Sequence, residues 1–185
     1  MKCELWYSVV VRDRHGKIVS RERRKSKSFL KQWNQLVYVQ VAQAALDITD
    51  TGGVARSVGT SSQNLLMAAA AGITDYGIRI GTGETPVAID DYALETPIAE
   101  GVGAGEMNHL VCTVSVSAVA APSCSFITSR SAVNNSGVEN TVKEAGIYMR
   151  TGSYYVCATR DVFGVPQVVP DGGSLAINWT LRVTV

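Results

Sequence analysis

Apolar and polar residues alternate along most of the chain after residue 100, which is typical of strands that bury one face. Around 113–118 the pattern would place Val114, Val116 and Ala118 on a buried face opposite Ser115 and Ser117. The segments with strand patterns in this half are residues 107–119, 123–130, 142–150, 153–161 and 175–185. Their connections are too short for crossover helices, so the strands should pair antiparallel. The sequence therefore predicts a mainly β fold, an antiparallel β-sandwich or a jelly-roll-like arrangement.

The first fifty residues combine two patterns. Residues 3–12 and 17–24 predict two strands joined by a hairpin turn at 13–16. Apolar residues then recur at three- and four-residue spacing, which predicts one amphipathic helix at about residues 28–46, capped by Ser26 or Ser28. We expect one domain over residues 1–185, with the hairpin and helix of residues 1–50 as an appendage or assembly element.

The segment at 77–101 separates these two halves. Residues 77–80 predict a short strand, and Gly81 and Gly83 permit a sharp turn after it. We expect Asp90 to cap a short helical turn, and apolar side chains to anchor the segment on the core. These anchors are Tyr92, Leu94 and Ile98. A phosphate-binding loop is disfavoured, because the lysine that should follow is missing and Glu84 would repel phosphate.

Charged residues make up only 18% of the chain, and the net charge is +1, so the sequence predicts no general attraction to nucleic acid or membranes. The exception is a basic cluster, which is a candidate partner contact. It comprises Arg21, Arg23, Arg24, Lys25 and Lys27. Three interpretations stay open: a solvated face, contact with an acidic protein surface, and contact with nucleic-acid phosphates. The absence of interleaved aromatic residues argues against stacking on single-stranded nucleic acid.

No pattern of a known catalytic or metal site is complete. His15 and His109 belong to no nucleophile motif and have no ligand spacing with the cysteines. The cysteines Cys3, Cys112, Cys124 and Cys157 are expected to be free thiols, since no secretory signal is visible. No apolar run is long enough for a membrane helix.

The acidic residues give no catalytic pattern either. Asp90, Asp91 and Glu95 lack the alternate spacing of a calcium loop, and Glu139 and Glu144 are expected on solvated strand faces. The sequence thus predicts no catalytic residues, no cofactor, no metal and no enzyme activity.

Three pieces of the chain, in this order, carry a resemblance. They are GIRIGTGETPVAIDDYALETPI (77–98), ENTVKEAGIYM (139–149) and ATRDVFGVPQVVPDGGSLAINWTLRV (158–183). Together they resemble a group of small structural proteins of the virions of tailed bacteriophages and related prophages.

The resemblance implies a β-sandwich that coats a capsid or forms part of a tail or fibre, usually as a symmetric oligomer. The implied partners are the protein itself and other virion proteins, such as the major capsid or tail protein. The implied location is the virion, assembled in the host cytoplasm. No catalytic residues belong to the pattern.

Two further hypotheses remain. A carbohydrate- or receptor-binding β-sandwich would use Trp6, Tyr7, Tyr154 and Tyr155 to stack on sugars. An enzyme site assembled from distant residues would combine groups such as His109 and Glu106.

Overall fold

The computed structural model describes residues 2–26 and 28–185 and is mainly β, with 51% strand and 7% helix. The elements are β1 (Lys2–Arg12), β2 (Ile18–Lys25), α1 (Lys31–Ala42), β3 (Leu46–Thr49), β4 (Ala55–Val58), β5 (Gly77–Gly81), β6 (Asn108–His109), β7 (Thr113–Val114), β8 (Ala118–Ala120), β9 (Ser123–Val133), β10 (Asn140–Thr151), β11 (Tyr154–Val169) and β12 (Ser174–Thr184).

The strands form three antiparallel sheets. The large sheet has the order β2-β1-β12-β9-β6, and β7 and β8 also pair with β9. The small sheet has the order β11-β10-β5, and β3 pairs with β4. The prediction of a mainly β, antiparallel, sandwich-like fold is confirmed. Since β1 lies between β2 and β12, the N-terminal hairpin is part of the large sheet.

Alternation within the strands explains why the two main sheets pack face to face. On β1, Leu5, Tyr7, Val9 and Val11 are buried, whereas the residues between them are only half-buried. On β12 the buried set is Leu175, Ile177 and Trp179. These side chains meet Ile78, Ile80, Ala145, Ile147 and Val156 of the small sheet in one core cluster. Each such aliphatic side chain stabilises the fold by about 1.5–3 kcal/mol before entropy is counted. The face of the large sheet that carries Leu5 is called the core face below, and the opposite one the outer face.

The predicted helix exists but is shorter than residues 28–46. It begins at Lys31, and Leu30 occupies the N-cap position without a side-chain hydrogen bond. Neither serine caps it, because Ser26 Oγ instead donates to Asp161 Oδ2 at 2.5 Å. The helix ends where Gln43 adopts a left-handed conformation (φ 54°), and Leu46 already belongs to β3.

The prediction of one half-buried strand at 107–119 is wrong. The segment is divided into β6, β7 and β8, each paired only with β9. Between them the chain leaves the sheet, since Cys112 N donates to Ala69 O. Val114 and Val116, expected inside, are exposed. The alternation gave a misleading prediction because it lies at a sheet edge, where neither face is covered.

Val165 and Pro166 lie within β11 but in a bulge. The pairing moves from Val142 with Gln167 to Glu144 with Val162, so several residues of β11 lie opposite one residue of β10. Within the described chain, no helix is long and apolar enough to cross a membrane.

Candidate functional site

The strongest concentration of buried charge surrounds Arg160 on β11. This side chain is 2% exposed, and its Nε lies 2.8 Å from Glu144 Oε2, which is fully buried on β10. Its Nη1 lies 2.7 Å from Asp91 Oδ2, and its Nη2 lies 3.5 Å from Glu95 Oε2. We call these four residues the Arg160 cluster. The prediction that Glu144 lies on a solvated strand face is wrong, because its carboxylate is buried in an ion pair with Arg160.

Backbone N–H groups compensate the surplus negative charge of the Arg160 cluster. Gly83 N and Thr96 N donate to Glu144 Oε1 at 3.1 and 2.9 Å. Glu84 N and Thr85 N donate to Glu95 Oε2 at 2.7 and 2.8 Å. The hydrogen bonds from Thr85 lower the pKa of Glu95 below its usual value. Donors to an ionised acceptor form stronger hydrogen bonds than neutral pairs do, so the loop at 82–96 is held firmly.

The two glycines of this loop allow its close approach to Glu144. A Cβ atom at Gly81 would lie 2.5 Å from Glu144 Oε1, and one at Gly83 would lie 2.6 Å from the same atom. No other residue fits that space without displacing the carboxylate. The loop therefore encloses a carboxylate of its own chain, where a phosphate loop would enclose a ligand.

The expected helical turn capped by Asp90 is absent, and Asp90 is exposed. Its neighbour Asp91 accepts a hydrogen bond from Ala88 N at 3.0 Å and binds Arg160. Tyr92 is largely exposed, whereas Leu94 and Ile98 are buried anchors as predicted. Among the described residues no group of three His, Cys, Asp or Glu side chains is arranged to hold a metal ion.

The three pieces that carry the phage resemblance converge on the Arg160 cluster. The first supplies Asp91 and Glu95, the second Glu144 and the third Arg160. Close by, Leu94 N of the first piece donates to the hydroxyl of Tyr148 in the second at 2.7 Å. The charged residues of the three pieces thus bind one another, and these contacts hold the irregular segment at 82–96 on the small sheet.

The basic cluster predicted from the sequence is divided between the two faces of β2. Directly opposite residues of an antiparallel pair lie on the same face. Arg21, Arg23 and Lys25 lie opposite Val10, Ser8 and Trp6 of β1, on the outer face. Arg24 lies opposite Tyr7, toward the core face, and its Nε contacts Glu22 Oε1 at 2.6 Å. Lys27 lies outside the described residues.

The outer face is basic at its β2 end. Arg182 of β12 lies opposite Glu4 of β1, and Lys25 Nζ binds Glu4 Oε1 at 2.8 Å. Arg23 lies over the ring of Trp6, 5.5 Å from its centroid. The charged side chains at this end include Arg21, Arg23, Lys25, Arg182 and Glu4. Farther across the sheet, the outer residues are Ser, Thr, Asn, Ala, Ile and Val.

A cleft of about 450 Å³ opens beside the end of β2. Its lining includes Arg24, Lys25 and Phe29, and a wall from the segment after β5 that contains Val87 and Ile89. Ile89 O accepts a hydrogen bond from Lys31 N at 3.1 Å, so this wall is tied to the start of α1. Asp91 of the Arg160 cluster accepts a hydrogen bond from Ala88 N, which also lines the cleft, so the cluster contacts the same wall.

A second buried polar site contains His109. Its Nδ1 lies 2.9 Å from Glu100 Oε2, so the ring carries its proton on Nδ1, while Nε2 has no hydrogen-bond partner among the described residues. Burial lowers the pKa of His109 to about 4, and the nearby charges of Arg79 and Arg130 act in the same direction against Glu100. The predicted pairing of His109 with Glu106 does not occur, since Glu100 takes that place.

The four aromatic residues of the carbohydrate hypothesis do not form one platform. Trp6 and Tyr7 point to opposite faces of β1, and Tyr7 is buried against Phe163 and Trp179. Tyr154 lies under Arg56, and Tyr155 stacks on Tyr76. The four cysteines are free thiols, as expected: Cys112 and Cys157 are buried, Cys124 is half-buried and Cys3 is exposed.

The sequence patterns did not predict the Arg160 cluster, although its four members lie within the three pieces that carry the resemblance. No family model, curated protein or solved structure matches this chain.

Proposed function

We propose that this protein is a structural component of a bacteriophage virion, which binds other virion proteins to decorate or stabilise the capsid or to form part of the tail. The observation that carries the proposal is the outer face of the large sheet. Along β1 and β12 its residues are only half-buried, it is uncharged over most of its breadth, and it is basic at the β2 end. A broad polar face of this kind suits contact with another protein surface, with charge at its rim giving orientation.

In the proposed role the protein binds other proteins and catalyses no reaction. It is supported by the state of the most reactive groups, because His109 is buried in the interior and Glu144 is bound by Arg160 and three loop N–H groups. Neither has access to a substrate. The carbohydrate-binding alternative has no comparable support, since its aromatic residues lie on separate surfaces.

Mass spectrometry of purified phage particles, produced by cells that encode this chain, tests the function. We expect the chain in stoichiometric amounts that survive washing in moderate salt. Its absence from the particles would overturn the proposal.

The basic end of the outer face gives a sharper test. Arg24 is left unchanged, because it lies on the other face. We therefore expect Arg21→Gln, Arg23→Gln and Lys25→Gln together to weaken attachment to particles, with an effect that is largest at low salt. The free energy of unfolding should fall by less than about 1 kcal/mol, since exposed charges contribute little.

The matched control is Arg14→Gln, Lys17→Gln and Lys143→Gln, which removes the same charge from other surfaces. Equal attachment of the two triple variants, measured by co-sedimentation with particles that lack the chain, would exclude the basic end as the contact.

A further inference from the structure

We propose that two copies of this chain form a two-fold dimer through the β8 edge of the large sheet and the apolar surface beside it. We call this surface the apolar end. Its residues are Cys3, Val116, Val119, Cys124, Val183 and Val185. The inference deepens the proposed function, because it names the surface by which the virion component would make its own oligomer.

The β8 edge has an open backbone. Ala118, Val119 and Ala120 pair with β9 on one side, and the described chain provides no strand on the other side. An open edge presents unpaired N–H and C=O groups to any second strand that reaches it. Proteins usually protect such an edge with charged residues, and β8 has none.

The apolar end is continuous with this edge. Val119 lies opposite Cys124, Cys124 opposite Val183, and Val183 opposite Cys3, so the four share the core face of the large sheet in one row. The next row on the same face is Leu5, Leu181 and Phe126, and Leu5 and Leu181 still belong to the packed core. The row of Val119 lies outside that core. Val119 is 81% exposed, Val116 is 88% exposed and Val185 is 91% exposed.

The charge pattern indicates a second copy as the occupant. Residues 110–129 contain no Asp, Glu, Lys, Arg or His. When a two-fold axis places this edge against itself, apolar residues meet apolar residues and no like charges are opposed. The other edge of the sheet, β2, carries Arg21, Arg23 and Lys25, which would repel one another in the same arrangement. Pairing β8 with β2 of another copy would set basic side chains against an apolar edge, so the two-fold contact fits better.

The test is the oligomeric state of the full chain and of two lysine variants. Sedimentation equilibrium would be run on wild type, Val119→Lys and Val41→Lys. Val41 is the matched control, because it is a valine that is 80% exposed but lies on α1. We expect a wild-type dimer, a dissociation constant raised about 100-fold by Val119→Lys, and no change with Val41→Lys. The factor assumes about tenfold for each of the two copies of the substitution in a two-fold interface.

A measurement on wild type alone keeps the proposal testable if a variant folds poorly. Cys3 is exposed in the single chain, so its alkylation by a maleimide should slow as the protein concentration rises through the dissociation constant. A monomer with concentration-independent labelling overturns the proposal. A dimer that Val119→Lys leaves intact, or that Arg21→Glu with Arg23→Glu disrupts instead, overturns the assigned surface.

These results are independent of the virion test. A chain absent from particles that still dimerises through Val119 would contradict only the proposed function. A monomeric chain present in particles would contradict only this inference.

Discussion

Arg160 and Arg130 are both buried, but their charges are compensated in different ways. Arg160 binds three carboxylates, two from the loop at 82–96 and one from β10. Arg130, on β9, donates to backbone carbonyls: Nε to Leu110 O at 2.7 Å, Nη1 to Ile78 O at 3.0 Å, and Nη2 to Ile73 O at 2.6 Å and to Ala70 O at 3.3 Å. Arg79 beside it does the same with Thr74 O and Ile98 O.

The difference shows two ways of fixing irregular backbone. At the Arg160 cluster, charge attraction and loop N–H donors hold the segment at 82–96. At Arg130, a single guanidinium donates to four carbonyls, three of which lie outside the strands and so have no sheet ladder to provide donors. Loss of charge balance should therefore lower the free energy of unfolding most at the Arg160 cluster, and loss of hydrogen bonds should lower it most at Arg130.

The largest effect is expected from Arg160→Met. It leaves Glu144 as a fully buried carboxylate without a cation, which costs about 3–5 kcal/mol of unfolding free energy. Guanidinium denaturation at pH 7 measures this. Adding Glu144→Gln keeps an acceptor for the loop N–H groups but removes the buried, unpaired negative charge. The double variant should therefore be more stable than Arg160→Met alone. An equal or lower stability of the double variant would contradict a charge-based role.

Arg130→Met should destabilise by about 2–3 kcal/mol, because four carbonyls each lose a hydrogen bond while no buried carboxylate loses its counter-ion. The same denaturation experiment applies. The matched second change is Glu100→Gln, which neutralises the nearest acid and should recover nothing. Recovery by Glu100→Gln would mean that Arg130 acts as a counter-ion, and the contrast between the two sites would fail.

The smallest of these effects is a pH dependence at the Arg130 site. Because the pKa of His109 is lowered to about 4 in the folded chain, against about 6.5 unfolded, the unfolded chain binds more protons between these values. Stability is therefore complete above pH 6.5 and declines as the pH falls. We expect a loss of about 2 kcal/mol between pH 6.5 and 5 from this group.

Urea denaturation of wild type and His109→Asn across that range measures the dependence. Asn retains a donor toward Glu100 but does not titrate, so its stability should vary less with pH. Parallel profiles for the two proteins would show that His109 is protonated equally in both states.

Local sequence determined the β class, the N-terminal hairpin and the strands from β9 to β12. In those elements side chains alternate between a buried and a half-buried face, and the turn residues stand between them. The helix was also predictable, but its start was not, because Ser26 is bound to Asp161, 135 residues away. The failure at 107–119 has a similar cause: an apolar alternation carries no information on whether a second sheet covers it.

The sequence by itself thus determined the N-terminal hairpin and the strands from β9 to β12, and it contained no complete catalytic motif. Only the tertiary structure decided that Arg160, Glu144, Asp91 and Glu95 form one site, and that the basic cluster is divided by the alternating faces of β2. These outcomes depend on strand register and on contacts between residues 16 to 69 positions apart. Charge pairing over such separations leaves no periodic trace in a sequence, since it requires only that the partners meet after the sheets have formed.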